Sequence, residues 1–185
     1  FSALEPLPIL LMVIDTMNNV RHRKIQIVNP HTWTLAVGCA VFHFIGAGVW
    51  GFAHTLPQIN YYTHGSQVTV SHGHLAFFGA YALLNMTVFY YAIPKLKGIE
   101  VYEPTRGKIG FWTMCSAIML MGLTFGVAGV LQSYLERVLG MGYMTAQSYM
   151  QLWMGITMVL GVFFLAGVVV TVVDLFRMKP ARTQY

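Results

Sequence analysis

The sequence predicts an all-α fold, a polytopic transmembrane helical bundle, and three observations lead there. Of 185 residues, 56% are hydrophobic and only 9% charged, with a mean hydropathy of +0.60, whereas a soluble domain carries about 25% charged residues. Apolar runs as long as the roughly 20 residues that cross a bilayer core recur along the chain. Lys and Arg fall on alternate loops. This composition excludes soluble globular, disordered, collagen-like and disulfide-scaffold classes. Cys39 and Cys115 both sit inside apolar stretches and read as packing residues, not as a disulfide or a metal pair. A net charge of +5 and a pI near 9.3 would suggest nucleic acid for a soluble protein. In a membrane protein the placement of charge matters more than its total, so no nucleic-acid partner is expected.

The predicted spans cover residues 1–18, 33–55, 68–94, 109–134 and 147–176, as one transmembrane region in a lipid bilayer. The first is short, and it opens on Phe1 with no initiator Met, charged n-region or cleavage site. The chain therefore reads as part of a longer one. The loop over 19–32 carries Arg21, Arg23 and Lys24, that over 95–108 carries Lys95, Lys97, Arg106 and Lys108, and the tail carries Arg177, Lys179 and Arg182. Only Arg137 of the eleven basic residues lies on the other side. The positive-inside rule then places those loops and the C-terminus in the cytoplasm. Trp33, Tyr61, Tyr62, Tyr90, Tyr91 and Tyr134 fit interfacial belts near span ends.

Ionisable groups inside spans are costly, so each is a functional candidate: Glu5, Asp15, His43, His54, His72, His74 and Asp174. Asp15 and Asp174 lie near the cytoplasmic ends and read as solvated carboxylates or partners of basic residues, without a role. His22 and His31 read as cytoplasmic surface histidines. His72 and His74 give the strongest local signal. Two residues subtend about 200° on a helix, so the two imidazoles project from opposite sides and cannot share one small metal as an i, i+4 pair can. They can ligate two flat cofactors standing on either side, with Gly73 leaving room for a macrocycle edge, and haem suits a single axial imidazole on each iron. A pair of hydrogen-bonded bundle histidines is the alternative.

Depth adds context. His72 and His74 lie about 6 to 9 Å inside the outer end of their span, and Glu5, among Pro6 and Pro8, enters from the same side. A carboxylate and two imidazoles thus share an outer layer suited to a redox-linked proton or metal site; a helix-start carboxylate facing water is the alternative for Glu5. His43 and His54 are eleven residues apart, three turns plus about 20°, and share a face with Trp50. His43 alone reads as a structural hydrogen bonder. His54 with Thr55, and His64, sit at the outer boundary, where propionates of an outer-layer haem would emerge. No phosphate-binding glycine loop, nucleophile elbow, His-Glu-x-x-His or Cys-x-x-Cys-His occurs, so neither hydrolysis nor covalent haem attachment is supported.

Four stretches carry a resemblance: Phe1-Ser-Ala-Leu-Glu5-Pro-Leu-Pro8, Gly46-Ala-Gly-Val-Trp-Gly-Phe-Ala-His54-Thr-Leu-Pro57, Asn60-Tyr-Tyr-Thr-His64-Gly65 and Ser71-His-Gly-His-Leu-Ala-Phe-Phe-Gly-Ala-Tyr81. In this order, over essentially the whole chain, the sequence resembles the catalytic subunits of bacterial cytochrome c-dependent nitric oxide reductases, within the haem-copper oxidase superfamily. The likeness is to the last five helices of a twelve-helix fold. It implies two b-type haems, with His72 on the high-spin haem iron where nitric oxide binds and His74 on the low-spin haem iron. It implies that Glu5 stands near a non-haem iron and serves catalysis, and that calcium lies near the haem propionates. A membrane-anchored c-type cytochrome subunit is the implied electron-donating partner. The non-haem iron ligands and the second axial histidine belong to helices outside this sequence, so the chain reads as a fragment or as one product of a split gene. A nitric oxide dismutase, an oxygen-reducing relative and a catalytically silent haem subunit are the rivals.

Overall fold

Inside a bilayer core every backbone N–H and C=O has to be satisfied within the protein, and a helix does this segment by segment. The computed structural model describes Leu4, residues 6–24 and residues 27–181, and among these the chain is helical apart from short connections and one isolated bridge between Tyr102 and Pro180. The elements are α1 (Pro6–Arg21), α2 (Pro30–Thr55), the short α3 (Pro57–Thr63), α4 (Gln67–Leu96), α5 (Thr105–Val138), the short α6 (Tyr143–Ser148) and α7 (Gln151–Arg177). Four of them, α2, α4, α5 and α7, are long and apolar enough to cross a membrane, which makes this a multi-pass membrane protein. The described part of α1 has 16 residues and none of its side chains is buried. Phe1, Ser2, Ala3, Ile25, Gln26 and residues 182–185 lie outside the described residues, as does Glu5.

Helix α5 is the centre of the bundle. In its most apolar stretch 61% of residues are buried, against 17 to 22% in the other three. It packs along α7 on one side and along α4 on another, while α2 lies against α4 and α1 touches α2. The core runs through Leu35, Leu83, Phe111, Met114, Ile118 and Phe125. Cys115 is buried and Cys39 half-buried, and both are free thiols.

Helices α2 and α4 cross where neither carries a side chain. A β-carbon on Gly46 would collide with the backbone of Leu75 and Ala76, and one on Gly79 with that of Phe42 and His43. Small residues allow such contact, which supplies the packing that lipid cannot drive hydrophobically. Both helices also widen into π-helical turns, Phe44–Trp50 in α2 and Phe78–Leu83 in α4. A wide turn breaks the 3.6-residue register, so the shared face expected for His43 and His54 does not carry across it.

Local signals set the ends of α4. Gly65 takes a left-handed turn at φ 73°, and the Ser66 hydroxyl accepts from Val68 N–H at 3.3 Å, capping the helix that holds His72 and His74. Near the other end Pro94 lacks an N–H, which leaves Tyr90 O without its helical donor. The Thr32 hydroxyl of α2 donates to that carbonyl at 3.2 Å.

Three expectations at the end bearing most Lys and Arg are corrected here. His31 is 1% exposed rather than on the surface; it sits edge-on to Tyr90, ring centroids 4.8 Å apart. Tyr90, expected at an interface, is also 1% exposed. Asp174 is buried and accepts a hydrogen bond from the Tyr90 hydroxyl at 2.8 Å. The reason is Gly107: the point where its β-carbon would stand is 2.7 Å from His31 Nε2, 2.8 Å from Tyr90 Oη and 3.0 Å from Asp174 Oδ2. A residue without a side chain lets α2, α4 and α7 bring polar atoms together over the start of α5. Asp15 is exposed, as expected, and accepts from Asn19 at 3.1 Å. Tyr90→Phe removes the hydroxyl donor from a buried carboxylate and is expected to destabilise the fold by about 1–3 kcal/mol. Thermal melting of the purified membrane complex reads this, and an unchanged midpoint would remove the bond from the stability of the bundle.

Candidate functional site

The chemistry-bearing side chains gather at the other end of the bundle, on the first three turns of α4 and the part of α2 that crosses it. The ring of His72 faces α2. Its Nδ1 lies 2.8 Å from Gly46 O, one Cε1 edge borders Gly51, whose β-carbon would stand 3.4 Å away, and the His54 ring stacks on it at 5.3 Å between centroids with 29° between planes. The Gly46 carbonyl already accepts from Gly51 N–H across the wide turn, and its second lone pair serves His72. A donated Nδ1–H fixes the tautomer and leaves Nε2 as the basic nitrogen.

His74 has a different neighbour. Its Nδ1 lies 2.9 Å from Val70 O one turn back, and its ring tilts against Phe125 of α5 at 4.8 Å. It lines an open, largely apolar groove of about 690 Å³ with Gly73, Phe77, Phe78, Tyr81 and Phe164. That volume falls within the ~300–1,000 Å³ usual for cofactor sites. The two imidazoles thus leave one helix toward two neighbours, each with Nδ1 anchored to a carbonyl and Nε2 free of any hydrogen bond among the described residues. Between them the Ser71 hydroxyl donates to Gly122 O of α5 at 2.7 Å and is wholly buried.

The remaining candidates take separate positions. His54 is half-buried, with Nδ1 3.0 Å from Trp50 O and Nε2 3.4 Å from the Thr69 hydroxyl. Thr55 is exposed and donates to Phe52 O at 2.7 Å. His64 is exposed, and its carbonyl accepts from Arg137 at 3.5 Å. His43 is half-buried, and its ring makes none of the hydrogen bonds found among the described residues. Glu5 lies outside the described residues. No group of three or more His, Cys, Asp or Glu side chains that could hold a metal ion occurs among the described residues.

Sequence reasoning missed the Gly46 carbonyl, because a backbone acceptor has no signature of its own; the glycine-rich run around a π-helical turn was the available signal. It also missed the His54 to His72 stack, since the two residues belong to different helices. Arg137, read only for its charge, stands beside His64.

A family model described as Cytochrome C and Quinol oxidase polypeptide I matches residues 1–163. The chain belongs to that family. A nitric oxide reductase subunit of Stutzerimonas stutzeri is 42% identical over 177 residues, a match that covers 91% of this chain and 37% of that protein. The chain thus spans well under half the length of this relative. Membership in the Cytochrome C and Quinol oxidase polypeptide I family brings haem and iron into consideration in general. The residues fit an iron porphyrin: two oriented imidazoles with free Nε2, a flat apolar groove beside one, and glycines rather than side chains at Gly51 beside the other and at Gly73 between them.

The anchoring of His72 depends on the close crossing of α2 and α4. Gly46→Val would part the two helices, and hydrogen exchange of the backbone over 70–78 is expected to quicken by at least tenfold, about 1.4 kcal/mol of local stability. Gly161→Val is the comparison, since nothing lies within 4 Å of a β-carbon there. Equal exchange in the two variants would show that the crossing does not hold the site.

Proposed function

We propose that this chain is the haem-ligating part of a membrane nitric oxide reductase, which converts two nitric oxide molecules, two electrons and two protons to one nitrous oxide and one water. The observation that carries the reading is the pair His72 and His74, two residues apart on one helix, each oriented by a backbone carbonyl and each aimed at a different neighbour. The 42% identity to a protein named as a nitric oxide reductase subunit supports the choice of reaction.

In this reading His72 holds the high-spin b-type haem iron and His74 the low-spin one. When bound, the two haems supply electron transfer and the iron at which nitric oxide is reduced. The Gly46 carbonyl keeps His72 in one tautomer and raises the basicity of Nε2, and Val70 O does the same for His74. The stacked His54 ring restricts rotation of His72. Phe125 and the apolar groove walls lower the local polarity on the His74 side, which strengthens electrostatic interactions there.

Glu5 is the proposed carboxylate of the catalytic centre, handing on protons near a non-haem iron. The remaining helices of the catalytic subunit supply the ligands of that iron, and a membrane-anchored c-type cytochrome subunit supplies electrons. His54, Thr55 and His64 are proposed at the haem propionates, with calcium nearby, and the Arg137 guanidinium beside His64 adds a cation suited to those carboxylates. The protein is placed in a bacterial inner membrane with the Lys- and Arg-rich end in the cytoplasm, where positive loops are retained. The imidazole layer then lies toward the periplasm.

Anaerobic gas analysis of the purified complex with isotopically labelled nitric oxide and reduced cytochrome c tests the reaction. Nitrous oxide with matching electron consumption is expected; dinitrogen plus oxygen would mean dismutation, and no gas at all would sink the catalytic reading. His72→Ala should abolish turnover and leave the low-spin haem spectrum in place, and His74→Ala should remove that spectrum. Retained low-spin absorbance in the His74 variant would overturn its assignment. Glu5→Gln should slow proton-coupled turnover with haem content near normal, and a wild-type rate would take Glu5 out of the mechanism.

A further inference from the structure

At the end of the bundle remote from the imidazoles, the start of α5 and the end of α7 enclose a cavity of about 880 Å³. Arg106, Arg177 and Lys179 line it, together with Glu103 and Asp174. The two carboxylates are served by neutral donors: Glu103 accepts from the Thr105 hydroxyl and backbone N–H, and Asp174 accepts from the Tyr90 hydroxyl. Among the described residues no ion pair within 4.0 Å joins any of the three cations to a carboxylate.

Nor do these cations finish the helix. The carbonyls of Leu175 and Phe176 at the end of α7 accept from Lys97 Nζ at 2.8 and 2.9 Å, so the negative end of that dipole is already met by another residue. Arg106 also stands in the first turn of α5, a helix of more than 30 residues whose N-terminus adds positive potential. Three cations against two carboxylates leave the concave site with a positive surplus, which suits an anion.

We propose that this cavity binds the headgroup of an anionic phospholipid. A lipid, rather than a free phosphate, is indicated by the exposed apolar residues that neighbour the cavity-lining ones along α5 and α7. On α7, Val172, Val173 and Phe176 are exposed, Phe176 at 81%, and on α5 so are Ile109 and Trp112, the latter at 61%. Lying within two turns of Arg106 or Arg177 along the chain, these side chains give both membrane-spanning helices large exposed apolar groups near the site, which suits acyl chains and has no use for an inorganic ion. The phosphodiester takes the guanidinium and ammonium donors at the mouth, and the tails lie along Trp112 and Phe176. Basic residues at a membrane surface each attract anionic lipid, and basic pockets between spans recognise its headgroup. With two carboxylates in the same wall, a preference of about tenfold for anionic over zwitterionic lipid is expected.

The test uses the complex containing this chain, reconstituted in nanodiscs of phosphatidylcholine with a defined share of phosphatidylglycerol. Native mass spectrometry is expected to show phosphatidylglycerol retained about tenfold over its share by the wild type. That preference should be lost in the combined R106Q/R177Q/K179Q variant. Lys24→Gln, which removes a charge from the same end outside the cavity, should keep it. Equal retention in all three proteins would overturn the proposal. Displacement of the lipid by inorganic phosphate or glycerol 3-phosphate would overturn it too, by making the free anion the occupant. Should the combined variant fail to assemble, photo-crosslinking phosphatidylglycerol on the wild type decides. Labelling of peptides spanning 103–112 and 172–180 is expected, and labelling confined to other segments would sink the idea.

Discussion

The close crossing of α2 and α4 is the contact on which the site depends. Lipid tails are as apolar as leucine, so spans associate through packing and polar contacts rather than through the hydrophobic effect that drives a soluble core. Gly46 and Gly79 let the two backbones meet, and the carbonyl of Gly46 is thereby brought to His72 Nδ1 at 2.8 Å. A larger residue at either position would widen the gap and remove the acceptor together with the packing. Orientation of a site imidazole and attachment of α2 to the bundle are therefore one property of the sequence, not two.

The same bilayer constraint explains where the helices are irregular. A wide turn or a proline disturbs the backbone ladder, and a disturbed ladder inside a membrane needs a partner from a neighbouring helix. Two of the irregularities here have one. The π-helical turn of α2 presents Gly46 O to His72, and the carbonyl freed by Pro94 in α4 takes the Thr32 hydroxyl. Tyr102, in the connection that follows, shares that hydroxyl at 3.0 Å, and its buried phenol is pushed above its ordinary pKa by desolvation. The irregular positions are thus where α2 and α4 are tied, at both ends of their contact.

The four long apolar helices and the opposite projection of the two imidazoles of α4 were legible because they rest on local facts: run length, hydropathy, and the 100° step per residue that sets residues 72 and 74 about 200° apart. Ser66 and Gly65 also announce the start of α4 in the sequence. What escaped was non-local or depended on an unbroken register. His43 and His54 were placed on one face by arithmetic that a π-helical turn invalidates, and His54 instead stacks on His72. His31 follows Pro30 in a basic loop and so reads as surface. It is buried because Gly107, 76 residues later, leaves room for it beside Tyr90 and Asp174.

The two polar ends of the bundle are held apart by the core between them. From His31 and Tyr90 inward, Leu35, Leu83, Phe111 and Met114 of α2, α4 and α5 are each 4% exposed or less, and none of them donates or accepts a proton. Phe42 and Phe78 close edge-to-face at 5.0 Å just before the crossing at Gly46 and Gly79. Among these side chains there is no carboxylate, imidazole or hydroxyl that would hold a proton between the Asp174 cluster and His72. The Asp174 cluster and the imidazoles are therefore separated by a mostly apolar layer, in which the Thr87 and Thr171 hydroxyls are bonded to carbonyls of their own helices. The imidazole end differs from the basic end in this respect, since Thr55, His64 and Arg137 stand exposed or hydrogen-bonded at the open ends of α2, α4 and α5.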